Sequence, residues 1–178
     1  MKNNITELCE TGIFAAVIFI ATFTLKIPTP FTEGYTHLGD CMIFTAVVLL
    51  GVKRGAIAGG IGAGLADLIG GFGVWVLPTV IFKSLMAVCM GTIIQRQIIK
   101  GHPRMLFLLG AVTGGIVQSV GYVLVRAFLY GTPAAIASAP ILVLQTGIGI
   151  LLAFMVIEAL KKTALRGRML YVKPNEEI

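Results

Sequence analysis

Charged side chains are scarce in this sequence. They make up 12% of its 178 residues, whereas hydrophobic residues make up 57%. Soluble globular domains carry about 25% charged residues. The shortage excludes an ordinary soluble domain and indicates an integral membrane protein, in which residues 1–178 form a single transmembrane domain.

Cysteine and histidine are also rare. The three cysteines (Cys9, Cys41 and Cys89) lie in or beside apolar runs, which favours small hydrophobic residues over disulfides or metal ligands. The two histidines, His37 and His102, are far apart and are predicted on opposite sides of the membrane. We therefore expect no metal site.

Motifs of nucleotide binding and catalysis are missing. The sequence has no P-loop, no G-x-S-x-G and no H-E-x-x-H. We expect neither an enzyme nor a cofactor. If the protein transports a solute, an ion gradient or another subunit must supply the energy. A membrane enzyme that uses Asp67 and Lys83 as acid and base is a disfavoured alternative.

Six apolar runs are present instead. They cover about residues 5–25, 37–52, 55–71, 74–95, 105–129 and 141–160. No cleavage site follows the first run, so we expect it to be retained as a span. Two runs fall short of the ~20 residues of a standard span and must be tilted or buried in the bundle. The pattern predicts an all-α bundle of six transmembrane helices without strands.

The positive charges predict how this bundle is oriented. Eleven of the 14 lysines and arginines lie before the first run, after the sixth, or on the connections between runs two and three and runs four and five. Six spans place all of these segments on one side. The positive-inside rule then puts both termini in the cytoplasm. Topology thus explains the net charge of +6, and we expect no nucleic-acid partner.

The segment 55–91 carries one acid and one base inside apolar sequence. Gly60, Gly64 and Asp67 share one helix face, and Lys83 lies at a similar depth on the next span. Ionisable residues inside a membrane are costly, and the default hypothesis for them is function. The alternative is a structural ion pair between Asp67 and Lys83.

Other polar residues fall in the same outer half of the membrane. Gln118, Tyr122 and Arg126 repeat every four residues on the fifth span, and Gln145 lies near the outer end of the sixth. A channel is expected to be polar along its whole length. The sequence therefore predicts a pocket that opens outward and is closed below.

The outer connection 26–40 differs from the others in composition. It contains Tyr35, His37 and Asp40, which are candidate binding residues, and its candidate gating residues are Pro28, Pro30, Phe31, Glu33 and Gly34. It is either a lid over the pocket or an ordinary solvated loop. Phe72 and Trp75, on the next outer turn, are candidates for a second wall of the pocket, and the alternative for Trp75 is an interfacial anchor.

Small residues mark one face of the first span. Gly12 and Ala16 are four residues apart, with Ala15 beside them. Such a face permits close helix packing. The packing partner is either another helix of the bundle or a second protein.

Three segments carry a resemblance to a known family. They are HLGD at 37–40, GAIAGGIGAGLADL at 55–68 and PTVIFKSLMA at 78–87. With six spans, the chain resembles the substrate-binding S component of an energy-coupling factor (ECF) vitamin transporter. Within that family it is most similar to the hydroxymethylpyrimidine and pyridoxine-type branch.

The resemblance implies a function and a set of partners. An S component captures a vitamin outside the cell and topples in a bacterial cytoplasmic membrane. It delivers the vitamin by docking on a transmembrane T component that carries two cytoplasmic ATPases. The first outer loop is the family's gate. The family's docking face corresponds to Gly12, Ala15 and Ala16, with Gly12 standing where alanine is usual.

The expected cargo is a flat ring with hydrogen-bonding edges. Aromatic residues would stack on the ring, and polar residues would meet its edges. The aromatic residues are Tyr35, Trp75 and Tyr122, and the polar residues are Asp40, Asp67, Lys83 and Gln118. Replacing Lys83 by Ala is expected to abolish binding without unfolding the protein. The alternative function is a stand-alone carrier driven by a gradient.

Overall fold

The computed structural model describes residues 4–24, 26–29, 34–99 and 101–170, and it describes only the backbone of 26–29 and 34–36. These residues form six α-helices and a short 3-10 helix, Ala164–Arg168. The α-helices are α1 (Asn4–Thr24), α2 (Gly39–Leu50), α3 (Val52–Ile69), α4 (Gly73–Gln95), α5 (Pro103–Tyr130) and α6 (Thr132–Leu160). The predicted all-α bundle of six helices is confirmed.

Four of the helices are long and apolar enough to cross a membrane: α1, α4, α5 and α6. Helix α2 has 12 residues, which gives it a length of about 18 Å against an apolar membrane thickness of about 30 Å. Its residues are mostly buried, among them Ile43, Phe44 and Val47. This short helix is therefore a core element, and its first turn lies inside the bundle.

The lipid-facing surface surrounds this core. Within the described residues, exposed large apolar side chains occur on every α-helix except α2. Water disfavours such a continuous apolar surface, whereas lipid accepts it. This distribution agrees with a protein that crosses the membrane several times.

Helix α6 begins nine residues before the predicted start at 141. A single residue, Gly131, joins it to α5 with a φ of +86°, a conformation that favours glycine. Pro133 lies in the first helical turn, where a missing N–H costs nothing, and Pro140 lies inside the helix. Residues 132–140, which contain two prolines, thus form about two further turns of α6.

The connection between α1 and α2 contains a hairpin, so the prediction of no strands is wrong there. Strands β1 (Lys26–Thr29) and β2 (Gly34–His37) pair antiparallel, with Lys26 opposite His37. Four residues per strand are too few for an alternating pattern to stand out in the sequence. Of the predicted gating residues, Pro28 and Gly34 lie in the strands, whereas Pro30, Phe31 and Glu33 lie outside the described residues.

Glycines bring α3 and α4 together, as their shared face predicts. A Cβ at Gly60 would lie 2.3 Å from the Ser84 hydroxyl, and one at Gly64 would lie 2.5 Å from a Val80 methyl. Such distances leave no room for a larger residue. This close contact fixes α4, which carries Lys83, against α3, which carries Asp67.

The two ends of the bundle differ in charge. We call the end where α3 meets α4 and α5 meets α6 the pocket end. At the opposite end, Glu10 accepts hydrogen bonds from Arg54 and Arg168, and Glu158 pairs with Arg104. The bonds of Glu10 tie α1 to α3 and to the 3-10 helix, and the Glu158–Arg104 pair ties α6 to α5. The cytoplasmic location of this basic end stays a prediction.

Candidate functional site

Two polar stripes face each other across α4 and α5. Each stripe repeats every four residues, so its members lie on one helix face. The stripes are Trp75, Thr79 and Lys83 on α4, and Gln118, Tyr122 and Arg126 on α5. Because the helices run in opposite directions, Lys83 meets Gln118, Thr79 meets Tyr122, and Trp75 meets Arg126. The stripes form three rungs from the bundle interior to the pocket end.

The innermost rung carries a buried ion pair. Lys83 Nζ lies 2.5 Å from Asp40 Oδ1, and both side chains are completely buried. The same ammonium donates to Gln118 Oε1 at 2.6 Å. Asp40 occupies the first turn of α2, where the helix dipole also favours a negative charge.

The second carboxylate oxygen of Asp40 is also occupied. It accepts from Gln118 Nε2 at 2.9 Å and from Gln145 Nε2 at 3.1 Å. Gln118 Nε2 makes a further bond to Thr146 Oγ1 at 2.8 Å. The Asp40 network, formed by Asp40, Lys83, Gln118, Gln145 and Thr146, thus satisfies its charges internally and closes the bundle below the pocket.

Gly149 lets α6 reach this network. A Cβ at Gly149 would lie 2.9 Å from the Cβ of Asp40, which is closer than real Cβ atoms approach. Only a glycine therefore allows α6 to come near enough for Gln145 and Thr146 to join the network.

A small cavity lies between the Asp40 network and the pocket end. Its volume is about 40 Å³. It is lined by His37, Asp67, Phe72, Trp75, Thr79, Tyr122, Arg126, Leu142 and Gln145. Aromatic walls and a few converging polar groups are typical of small-molecule sites. Such sites measure about 300–1,000 Å³, so a ligand can enter only if lining side chains move apart.

The aromatic wall is a connected group. The Trp75 ring centre lies 5.9 Å from that of Tyr122 and 6.2 Å from that of Tyr130. The Tyr122 hydroxyl donates to Thr79 Oγ1 at 2.8 Å, which fixes the plane of the Tyr122 ring. Trp75 and Tyr122 both line the cavity, and the Tyr122 hydroxyl is already bonded to Thr79.

Comparison with known proteins places this architecture in a family. Residues 2–162 match the model of the S component of the ECF-type riboflavin transporter. The chain belongs to this family. It is therefore an integral membrane protein and a substrate-binding transporter subunit rather than an enzyme, and in such transporters partner subunits hydrolyse ATP.

The chain is also similar to two relatives and to one solved structure. A Lactococcus lactis subsp. cremoris protein named thiamine precursor transporter HmpT is 28% identical over 165 residues, covering 92% of this chain and 93% of the relative. A Pyrococcus woesei protein described as an uncharacterized protein in gap 3'region is 39% identical over 120 residues, or 67% of this chain and 78% of the relative. The solved S component of a bacterial ECF transporter has the same fold, with a TM-score of 0.73 at 16% identity, over 90% of this chain and 98% of the solved one.

The structure brings nine of the predicted site residues of this S component together. Six line the cavity: His37, Asp67, Trp75, Tyr122, Arg126 and Gln145. The other three, Asp40, Lys83 and Gln118, lie beneath it in the Asp40 network. The side chain of Tyr35 lies outside the described residues. The alternative pairing of Lys83 with Asp67 is wrong, because the carboxylate partner of Lys83 is Asp40.

Three contributors were missed by sequence reasoning. They are Thr79, Leu142 and Thr146. Phe72, a candidate wall residue beside Trp75, also lines the cavity. Thr79 carried a usable signal, since it lies midway between Trp75 and Lys83 at the spacing that identified the stripe on α5. Leu142 is an ordinary apolar residue in an apolar chain, so no sequence signal separates it from the lipid-facing ones.

The small residues of α1 divide between two faces. Gly12 and Ala16 are exposed, and a Cβ at Gly12 would meet nothing within 4 Å. Ala15 is half-buried, and its carbonyl oxygen lies 2.4 Å from where a Cβ at Gly62 would be. Gly12 and Ala16 thus form a smooth outward surface, while Ala15 packs α1 against α3.

Proposed function

We propose that this S component captures a small single-ring vitamin or vitamin precursor in the cavity at its pocket end. Hydroxymethylpyrimidine is the leading candidate and a pyridoxine-type vitamin is the next. The observation that carries the proposal is the cavity itself, which is lined by the aromatic residues Trp75 and Tyr122 and by the polar residues Asp67, His37 and Gln145. Such a site suits a flat ring with donors and acceptors around it.

The size of the cavity favours one ring over several. At about 40 Å³ it must expand even for a single ring. A three-ring flavin would require much larger displacements of Trp75 and Tyr122, which are held by neighbouring rings and by Thr79. The name of the Lactococcus relative, a thiamine precursor transporter, points in the same direction.

In this proposal the β1–β2 hairpin acts as the gate. Its second strand ends at His37, which lines the cavity. The Gly39 N–H donates to His37 Nδ1 at 3.1 Å, which couples the histidine to the start of α2. A movement of the hairpin would therefore displace one wall of the cavity.

Delivery requires partners in this proposal. A transmembrane T component with two cytoplasmic ATPases would dock on the face formed by Gly12 and Ala16. This face is exposed, and the small side chains allow a partner helix to approach closely. Since the Asp40 network closes the bundle below the cavity, release into the cytoplasm requires the whole subunit to reorient.

Binding of a vitamin panel to the purified protein tests the proposed cargo. The panel contains hydroxymethylpyrimidine, pyridoxine, thiamine and riboflavin, and calorimetry gives affinity and stoichiometry. Trp75 is the single tryptophan of the chain and lines the cavity, so its fluorescence provides a second readout. We expect tight one-to-one binding of a single-ring compound. Preferential binding of riboflavin, or of nothing in the panel, would contradict the proposal.

A further inference from the structure

Arg126 is a buried cation with hydrogen-bond donors that are unused in the described part of the chain. Its residue is 5% exposed, and its Nε and Nη1 atoms have no hydrogen-bond partner among the described residues. A buried charge without partners is costly, above all within a membrane protein. The other cation of the two stripes, Lys83, differs from Arg126 because its ammonium donates hydrogen bonds to Asp40 and Gln118. The free-energy cost of burying Arg126 with unused donors suggests that these donors serve a function.

The surroundings of Arg126 place this cation at the cavity. It lines the cavity and lies one helical turn before the end of α5 at Tyr130. Its guanidinium carbon lies 5.3 Å from the centre of the Trp75 ring. Contact with an aromatic face stabilises a guanidinium and leaves its N–H groups available for acceptors.

We propose that Arg126 binds an oxygen substituent on the ring of the cargo and favours an anionic oxygen over a hydroxyl. The inference rests on the proposed function, in which a ring lies against Trp75 and Tyr122. It adds a direction to that pose: the oxygen substituent faces Arg126 at the pocket end, and the opposite edge of the ring faces the Asp40 network. Carboxylate and phosphate oxygens are the strongest partners of a guanidinium, and a hydroxymethyl oxygen is a weaker one.

Three pyrimidines that differ at one position test this proposal. They carry a hydroxymethyl group, a methyl group or a carboxylate at the same ring carbon. Each is titrated into wild-type protein and into the Arg126→Gln and Arg126→Lys variants, in a detergent without phosphate groups. Calorimetry is the primary readout, since a change at Arg126 also alters the emission of Trp75. Arg96→Gln is the matched control, because Arg96 is exposed and lies at the opposite end of α4.

The expected result is an affinity order that depends on Arg126. Wild-type protein should bind the carboxylate most tightly and the methyl compound about ten- to a hundredfold more weakly than an oxygen-bearing ring. In Arg126→Gln the three affinities should converge. Arg126→Lys should keep part of the preference for the carboxylate, since it retains the charge, and Arg96→Gln should match wild type.

Two results separate failure of this inference from failure of the proposed function. If Arg126→Gln keeps the full wild-type affinity ratios, Arg126 does not bind the substituent, although the cargo can still be a ring. If the glutamine variant does not fold, the same conclusion follows from full wild-type ratios in Arg126→Lys. If wild-type protein binds none of the three rings, the single-ring cargo is wrong and this inference falls with it. A lipid headgroup could also be the partner of Arg126, and repeating the titrations in nanodiscs with anionic lipid tests this. If the affinity order of the three pyrimidines disappears in the nanodiscs, the partner of Arg126 is a lipid headgroup and not the cargo.

Discussion

Lys83 Nζ lies 2.5 Å from Asp40 Oδ1, and neither side chain is reached by solvent. The two residues belong to α4 and to the short buried helix α2. Gln118 contacts both of them, and Gln145 reaches Asp40 from α6. One charge pair therefore links α2, α4, α5 and α6 directly beneath the cavity.

Lys83→Ala should destabilise the protein as well as weaken binding. Removing the ammonium leaves the Asp40 carboxylate buried without a cation, and breaking such a pair costs about 3–5 kcal/mol. The sequence alone favoured a folded Lys83→Ala variant with no binding, and the structure changes this expectation. We expect the free energy of unfolding in detergent to fall by this amount.

The double variant Asp40→Asn/Lys83→Met separates charge from packing. It removes both charges and keeps the side-chain volumes similar, so it should recover much of the stability that Lys83→Ala loses. Arg96→Ala, at an exposed position, should leave stability unchanged. Equal stabilities for Lys83→Ala and wild type would mean that the buried pair contributes little to the fold.

The polar stripes show what sequence could predict about this site. Helical spacing put Gln118, Tyr122 and Arg126 on one face, and the structure shows them on one face. The same spacing joins Trp75 to Lys83 through Thr79, which was available to the same argument and was missed. Periodicity identifies faces because it depends only on local helix geometry.

Pairings between helices could not be read in the same way. Asp67 and Lys83 lie at similar depth next to one turn, so depth alone suggested that they pair. The partner of Lys83 is instead Asp40, because α2 lies in the core against both α4 and α6. A choice between two carboxylates depends on which helix packs where, and that arrangement is a tertiary property.

Some helix boundaries could be predicted from local composition, and others could not. The ends of α1 and α4 agree with the apolar runs to within a residue or two, because composition changes sharply there. The start of α6 was predicted from the apolar run that begins at 141, whereas the helix begins at Thr132. Pro133 is compatible with a helix because it lies in the first helical turn. The tight turn at Gly131, which ends α5 and begins α6, is what shows that the helix starts there and not at 141.

Gly149→Ala should disturb the Asp40 network through its volume alone. The new Cβ would lie 2.9 Å from the Asp40 Cβ, so α6 must move outward. Overpacking of this kind costs about 1–3 kcal/mol. The shift should also pull Gln145 away from Asp40 and weaken ligand binding. Thermal unfolding and calorimetry measure the two effects.

Gly147→Ala is a matched control on the same helix. Gly147 is exposed, and a Cβ there would meet nothing within 4 Å. It should keep wild-type binding and gain slight stability, because alanine favours the helix over glycine. Identical behaviour of the two alanine variants would show that α6 does not pack as closely on Asp40 as the structure has it.

Tyr122→Phe and Tyr122→Ala should separate the two roles of this residue. The phenylalanine variant keeps the ring contacts with Trp75 and Phe82 and loses only the bond to Thr79, which is worth about 1 kcal/mol. We expect it to bind the cargo with only a modest loss. The alanine variant removes the ring surface and should lose binding almost completely. Equal affinities for the two variants, measured by calorimetry, would exclude stacking on Tyr122.

Gly12→Leu should separate cargo binding from transport. Gly12 is exposed on α1, where an added Cβ would meet nothing within 4 Å among the described residues. The purified variant should therefore fold normally and bind its ligand with wild-type affinity. A leucine there would, however, hold a partner helix away from the face that Gly12 shares with Ala16.

Reconstitution with the T component and its ATPases tests this separation. ATP-driven uptake into proteoliposomes should be lost with Gly12→Leu, whereas Gly147→Leu, at an exposed glycine on α6, should transport normally. Loss of ligand binding together with transport would mean that Gly12 contributes to packing within the bundle. Normal transport by Gly12→Leu would place the docking surface elsewhere, since a leucine at a close helix contact cannot be accommodated without a shift of either helix.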